Sequence, residues 1–94
     1  MADVVTELLV AEATIDKLGA RNITIEETHQ LPRNAHVTVR NPHHDRPSKR
    51  RLLIGRTDGG RSLTLVIERS SDLTTWLVVT GWEAATRERR LLES

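Results

Sequence analysis

Two segments with high β-propensity, joined by the short turn Asp58-Gly59-Gly60, constrain the fold of this chain more than any other feature. The first segment covers residues 50–57 and the second 62–69, and Leu, Ile and Val dominate the middle of each. Such segments on either side of an Asp-Gly pair predict a β-hairpin. Arginines stand at both ends of the first segment, so the hairpin should carry guanidinium groups, which match the geometry of phosphates and carboxylates.

The chain ahead of the hairpin has the features of two helices. Between residues 4 and 18, apolar side chains recur at spacings of three and four, which predicts an amphipathic helix. Thr24 and Glu27 have the spacing of a capping box, so a second, short helix should begin near Ile25. Pro32 should end it, because proline lacks the N–H that the helix needs.

The remaining segments predict two further strands and a final helix. The strands are residues 36–40 and 75–82, the helix is 83–92, and 41–49, with two prolines, is an exposed loop. The predicted fold class is α+β, a single domain over residues 1–94. It has an N-terminal helix pair, a four-stranded, mostly antiparallel sheet and a C-terminal helix, with the helices packed on one face of the sheet.

Composition excludes several kinds of chemistry. The 94 residues contain no cysteine, which excludes disulfides, thiolate metal sites and thiol nucleophiles and agrees with a reducing cytoplasm. No apolar run approaches the ~20 residues of a membrane span, and the first residues lack the pattern of a signal peptide. We therefore expect a cytoplasmic protein without a membrane partner.

Charge is unevenly distributed along the chain. The net charge is only +1, but residues 46–61 hold six basic side chains against one acid, Asp58. Two interpretations stay open: a solvated rim with scattered ion pairs, or an anion site, for which arginine is suited because it stays charged and its planar fork matches phosphate oxygens. In the final helix, Glu83 and Arg87 have the spacing of an ordinary helical ion pair, so a solvated basic face is the simpler interpretation there.

Two histidines and an aspartate, His43, His44 and Asp45, are adjacent in the predicted loop. Adjacent residues rarely bind one ion without a third ligand from elsewhere, so no metal site is predicted. A loop histidine suits the role of general acid or base, because imidazole titrates near neutral pH. A solvent-exposed histidine without a chemical role is the alternative.

The only aromatic residues are Trp76 and Trp82. They lie six residues apart on one predicted strand, so they should point to the same side of the sheet. Trp76 is expected in the core. For Trp82, packing beside the basic helix and stacking on a nucleobase both stay open.

Three segments resemble the BrnT toxins, members of the wider RelE/ParE-like group of toxin–antitoxin ribonucleases. They are Lys17-Leu18-Gly19 with Ile23-Thr24-Ile25-Glu26-Glu27, the hairpin from Arg50 to Leu65, and Leu77-Val78-Val79-Thr80-Gly81-Trp82 with the arginine-rich helix that follows. The similarity spans residues 15 to 92. The hairpin is its most distinctive part.

The resemblance implies a metal-independent endoribonuclease without cofactors, kept inactive by a ribbon-helix-helix antitoxin. Such an enzyme uses the 2′-hydroxyl of the RNA as nucleophile, and its basic residues stabilise the phosphate in the transition state. Lys17, Arg50 and Arg56 match the basic positions of the family, and His43 is the candidate for proton transfer. The residues expected to contact RNA are Arg51, Arg61, Trp82, Arg87 and Arg90.

One departure from the family motivates an alternative function. Trp82 stands where the strand of the family ends in arginine, and loss of such a group weakens transition-state stabilisation. The alternative is a non-catalytic relative that binds RNA or a protein. Whether the chain forms a homodimer stays open.

Overall fold

The computed structural model describes residues 4–40, 50–72 and 74–93, which form an α+β fold with a mixed, five-stranded sheet. The strands are β1 (Glu7–Val10), β2 (His36–Arg40), β3 (Arg50–Arg56), β4 (Ser62–Arg69) and β5 (Thr75–Glu83), and the helices are α1 (Glu12–Gly19), α2 (Ile25–Gln30) and α3 (Thr86–Glu93). The sheet order is β1-β5-β4-β3-β2. The predicted fold class is confirmed, and the hairpin of β3 and β4 pairs antiparallel as expected.

The predicted helix over residues 4–18 is wrong in its first half, and the sheet has five strands instead of four. β1 pairs parallel to β5, and the backbone N–H of Thr6 donates to Thr74 O at 3.0 Å. Leu8 and Leu18 are both buried in the core, as their helical spacing suggested. Val4 and Ala11 of the same pattern are exposed, so the periodicity identified only part of the core, and an open edge of β5 gave the segment around Leu8 a backbone partner.

The second helix begins where the sequence predicted. The N–H of Glu27 donates to Thr24 Oγ1 at 3.1 Å, and the N–H of Thr24 donates to Glu27 Oε1 at 3.0 Å, which completes the capping box. Pro32 lies in a 3-10 turn, Leu31–Arg33, that continues from α2.

The helices pack on both faces of the sheet, so the prediction that they share one face is wrong. Leu18 of α1 belongs to the same buried cluster as Leu53 and Leu65, which define the helix-pair face of the sheet. α3 contacts β2 and β3 on the opposite face, the α3 face, to which Leu52 and Ile54 point. Because β3 is covered on both faces, its four central residues are all buried.

A β-bulge in β5 separates the two tryptophans. Val66 pairs with Thr80 whereas the next residue, Ile67, pairs with Val78, so Val79 is an extra residue on β5. The extra residue reverses the alternation of side chains beyond it. Trp76 is fully buried on the helix-pair face, as expected for a core residue, but Trp82 lies on the α3 face. The prediction that both point to the same side is therefore wrong.

Candidate functional site

A groove of about 550 Å³ runs between α3 and the strands β2 and β3. We call it the α3 groove. It is lined by Val39, Arg40, Leu52, Ile54, Arg87, Glu88 and Leu91. Its floor is apolar, since Leu52 and Ile54 alternate with residues that point to the other face, and guanidinium groups stand at its rim.

The alternation of β3 places two predicted catalytic residues beside this floor. Arg50 and Arg56 point to the same face as Leu52 and Ile54, one at each end of the strand. Six residues of strand separate their Cα atoms by about 20 Å. This spacing suits contacts to different phosphates along one RNA strand better than a joint grip on one phosphate. Arg56 also forms an ion pair with Glu93 of α3, at 3.6 Å.

Two other predicted catalytic residues do not join this arrangement in the described structure. Lys17 lies on α1, which packs against the helix-pair face, and its side chain is exposed there. Arg50 and Arg56 are on the other side of the sheet. His43 lies outside the described residues.

Arg51 points to the helix-pair face, opposite Ile67 in the register, and its Nη1 donates to Arg50 O at 2.9 Å. It therefore lies on the other side of β3 from the α3 groove.

Hydrogen bonds of the Arg61 side chain connect the start of β4 with the start of α2 and the segment before it. Its Nη1 donates to Asn22 O at 2.5 Å and to Glu27 Oε1 at 3.2 Å. Burial raises the pKa of the Glu27 carboxyl, but hydrogen bonds from the Thr24 backbone and from Arg61 outweigh that effect, so the pKa lies below its usual value. These contacts give Arg61 a structural role, and it does not line the α3 groove.

Trp82 is half-buried on the α3 face, and its Nε1 donates to Glu88 Oε1 at 3.1 Å. The same carboxylate oxygen accepts from Thr64 Oγ1 at 3.0 Å and from the N–H of Ala85 at 2.8 Å. The contact with Ala85 is half of a capping box, because Glu88 is the third residue of α3. Sequence reasoning missed Glu88, although its spacing from Ala85 was a usable signal.

The final helix presents its arginines at the groove and to solvent. Arg87 lines the α3 groove, and Arg90 is exposed on the same helix. Arg40, the last residue of β2, also lines the groove, although it pairs with Arg51 and its side chain is therefore directed to the helix-pair face. Sequence reasoning missed Arg40, whose only signal was its place at the end of an alternating strand.

The groove can bind a polyanion through its rim, whereas the described residues offer little for proton transfer. Of the described histidines, His36 points to the helix-pair face, and Nε2 of His29 lies 3.1 Å from Leu8 O. The one carboxylate that lines the groove, Glu88, already accepts three hydrogen bonds. Within residues 4–40, 50–72 and 74–93, no group of three potential metal ligands comes together.

Comparison with protein-family models, with curated proteins and with solved structures finds no significant match to this chain. The arrangement of residues in the α3 groove and the sequence motifs are therefore what bears on function. In the part of the chain that the structure describes, no helix has the length and apolar character to cross a membrane.

Proposed function

We propose that this protein is a metal-independent endoribonuclease of the BrnT-like toxin kind, with a RelE/BrnT-like fold, and that it binds its RNA along the α3 groove. The observation that carries the proposal is the placement of three arginines on the α3 face: Arg87 lines the apolar groove, and Arg50 and Arg56 lie at the two ends of the strand that forms its floor. Three guanidinium groups on one side of a sheet match the spaced charges of an RNA backbone. The apolar floor between them suits the ribose or base of a nucleotide.

The proposed reaction needs no metal or cofactor. The 2′-oxygen of a ribose attacks the adjacent phosphorus, the bond from phosphorus to the 5′-oxygen breaks, and the products carry a 2′,3′-cyclic phosphate and a 5′-hydroxyl. Arginines of the rim stabilise the charge on the phosphate oxygens. His43 remains the candidate for taking the proton from the 2′-hydroxyl and for delivering one to the 5′-oxygen. Lys17 would contact phosphates of RNA that extends beyond the groove.

The proposal is tested by incubating the purified protein with single-stranded RNA in a buffer that contains a metal chelator. We expect products with a cyclic phosphate end, and no cleavage of DNA with the same base sequence, since DNA lacks the 2′-hydroxyl. Arg87→Ala should slow cleavage, whereas Arg89→Ala should not. Arg89 is a matched control on the same helix, because its guanidinium contacts Thr86 Oγ1 and does not line the groove. RNA that stays intact with fully folded protein contradicts the enzymatic proposal.

A second candidate function is RNA binding without cleavage. It is favoured by the position of Lys17 on the opposite side of the sheet from Arg50 and Arg56. In that case RNA affinity falls steeply with salt, because phosphate contacts release counterions, but no product forms. Turnover that is lost in Arg50→Ala would exclude this candidate.

The proposed partner, besides RNA, is a ribbon-helix-helix antitoxin encoded by a neighbouring reading frame, and the proposed location is the cytoplasm. An acidic segment with aliphatic side chains complements both the arginine rim and the apolar floor, and it would exclude RNA while bound. Expression without the neighbour should arrest growth, and co-expression should restore it. Equal growth in both cases contradicts a toxin.

A further inference from the structure

We propose that Glu88 is a positioning residue: together with Trp82 and Thr64 it forms a latch that holds α3 over the α3 groove and so fixes Arg87 against bound RNA. This inference rests on the proposed function where it concerns RNA. The latch itself is a property of the free protein, so it can be tested separately.

One carboxylate oxygen joins three elements of the fold. Oε1 of Glu88 accepts from Thr64 Oγ1 on β4 at 3.0 Å, from Trp82 Nε1 on β5 at 3.1 Å, and from the Ala85 N–H at 2.8 Å. Hydrogen bonds to an ionised acceptor are stronger than those between neutral groups. Both side-chain donors are held by the central strands of the sheet, so the latch fixes the first turn of α3 to a rigid surface.

Within the described part of the chain, the rest of α3 lies loosely on the sheet. None of its eight residues is buried, and Leu91, which lines the groove, is 46% exposed. The ion pair between Arg56 and Glu93 joins side chains that are 45% and 60% exposed, and such surface pairs contribute little. A helix of two turns is not stable on its own in water. Among the contacts described for α3, those of Glu88 are therefore a main determinant of its position and of the position of Arg87.

The bulge at Val79 is what makes the latch available. Without the extra residue, Trp82 would point to the helix-pair face, as Trp76 does, and its N–H could not reach α3. Trp82 thus acts on RNA through Glu88 and the arginines of α3. The same contact accounts for a tryptophan at the end of β5, where the resembling family has an arginine.

Glu88→Ala distinguishes the latch from simple electrostatics because the two predict changes of opposite sign. Removing a negative charge from the rim strengthens RNA binding if charge alone matters. If the latch matters, α3 detaches and RNA binds about five- to tenfold more weakly at moderate salt, because a charge-assisted network and its arginine contact are lost. Glu26→Ala is the charge-matched control, since Glu26 is exposed on α2 and remote from the groove.

Two conservative variants sharpen the test. Glu88→Gln keeps an oxygen that can accept all three hydrogen bonds but loses the charge that strengthens them, so its RNA affinity should lie between those of Glu88→Ala and the natural protein. Trp82→Phe keeps an aromatic ring but removes the N–H donor, so its affinity should fall in the same direction as that of Glu88→Ala. A role limited to charge would make Gln and Ala behave alike.

Hydrogen exchange of the α3 amides in the free protein tests the latch without RNA. Exchange should rise about tenfold or more in Glu88→Ala, rise less in Glu88→Gln and stay unchanged in Glu26→Ala. The indole N–H of Trp76 donates to Val4 O at 3.0 Å, and its NMR signal reports whether the core remains folded. Unchanged exchange in Glu88→Ala, with RNA binding as tight as in Glu26→Ala, would overturn the latch. If the natural protein binds no RNA, the proposed function fails, and the exchange measurement still decides the latch.

Discussion

Replacing Gly81 with alanine should destabilise the protein, because α1 lies directly on the backbone of β5 at this glycine. A Cβ atom at position 81 would lie 2.5 Å from Leu65 Cδ2, 3.2 Å from Leu18 Cδ2 and 3.2 Å from Thr64 O. Leu65 and Leu18 are 0% and 1% exposed, so neither side chain can turn towards solvent. The clash must be relieved by moving α1 or the strands.

The size of the change in unfolding free energy follows from two opposing effects. Overpacking of a closed core costs about 1–3 kcal/mol. Alanine also restricts the unfolded chain, which returns about 0.4–1 kcal/mol. We therefore expect a net loss of about 1–2 kcal/mol, and a fall in Tm of about 5–15 °C for a domain of this size.

Urea unfolding followed by far-UV circular dichroism measures this loss. Gly59→Ala is the matched control, because its Cβ would meet only Thr57 Oγ1, at 3.8 Å, and it should change stability little. In a Leu18→Ala background the cost of Gly81→Ala should shrink, since one of the clashing groups is gone. A Gly81→Ala protein as stable as the natural one would refute the packing of α1 on β5.

Three further predictions concern charge and chemistry. Arg87→Ala should lower the slope of log Kd for single-stranded RNA against log salt by about 0.7, the contribution of one phosphate contact, and Arg89→Ala should leave it unchanged. The pKa of the Glu27 carboxyl is lowered on folding, so its ion pair stabilises the protein above pH 4.5, and this contribution is lost as pH falls through the folded pKa. The difference in unfolding free energy between the natural protein and Glu27→Gln, measured by urea titration, should therefore shrink below pH 4.5. His43→Ala should slow RNA cleavage by about 10²-fold or more while leaving RNA affinity unchanged, and equal rates would exclude its role in proton transfer.

Local signals in the sequence were sufficient for the hairpin and for the start of α2. The turn at Asp58-Gly59-Gly60 and the capping box of Thr24 and Glu27 each depend on residues a few positions apart, and both are present. β1 could not be predicted in this way. Its partner strand is 68 residues further along the chain, as the bond between Thr6 and Thr74 shows, and helical periodicity over residues 4–18 gave the opposite signal.

The candidate site was predictable only in part. Once β3 is assigned as a strand, its alternation alone places Arg50 and Arg56 on the face of Leu52 and Ile54, as the structure has them. The contact between Trp82 and Glu88 could not be predicted, because a single extra residue at Val79 reverses which face of the sheet Trp82 occupies. Bulges depend on how two paired strands fit together, and no residue of β5 alone indicates one.

The central claim, that the α3 groove binds RNA, is tested most directly by titrating ¹⁵N-labelled protein with a short single-stranded RNA and following the backbone amide signals. We expect the largest shifts at four residues that line the groove, Val39, Leu52, Ile54 and Leu91, and little change in the amides around Lys17 on α1. Shifts that cluster on α1, or a spectrum that does not change at low salt, would contradict it.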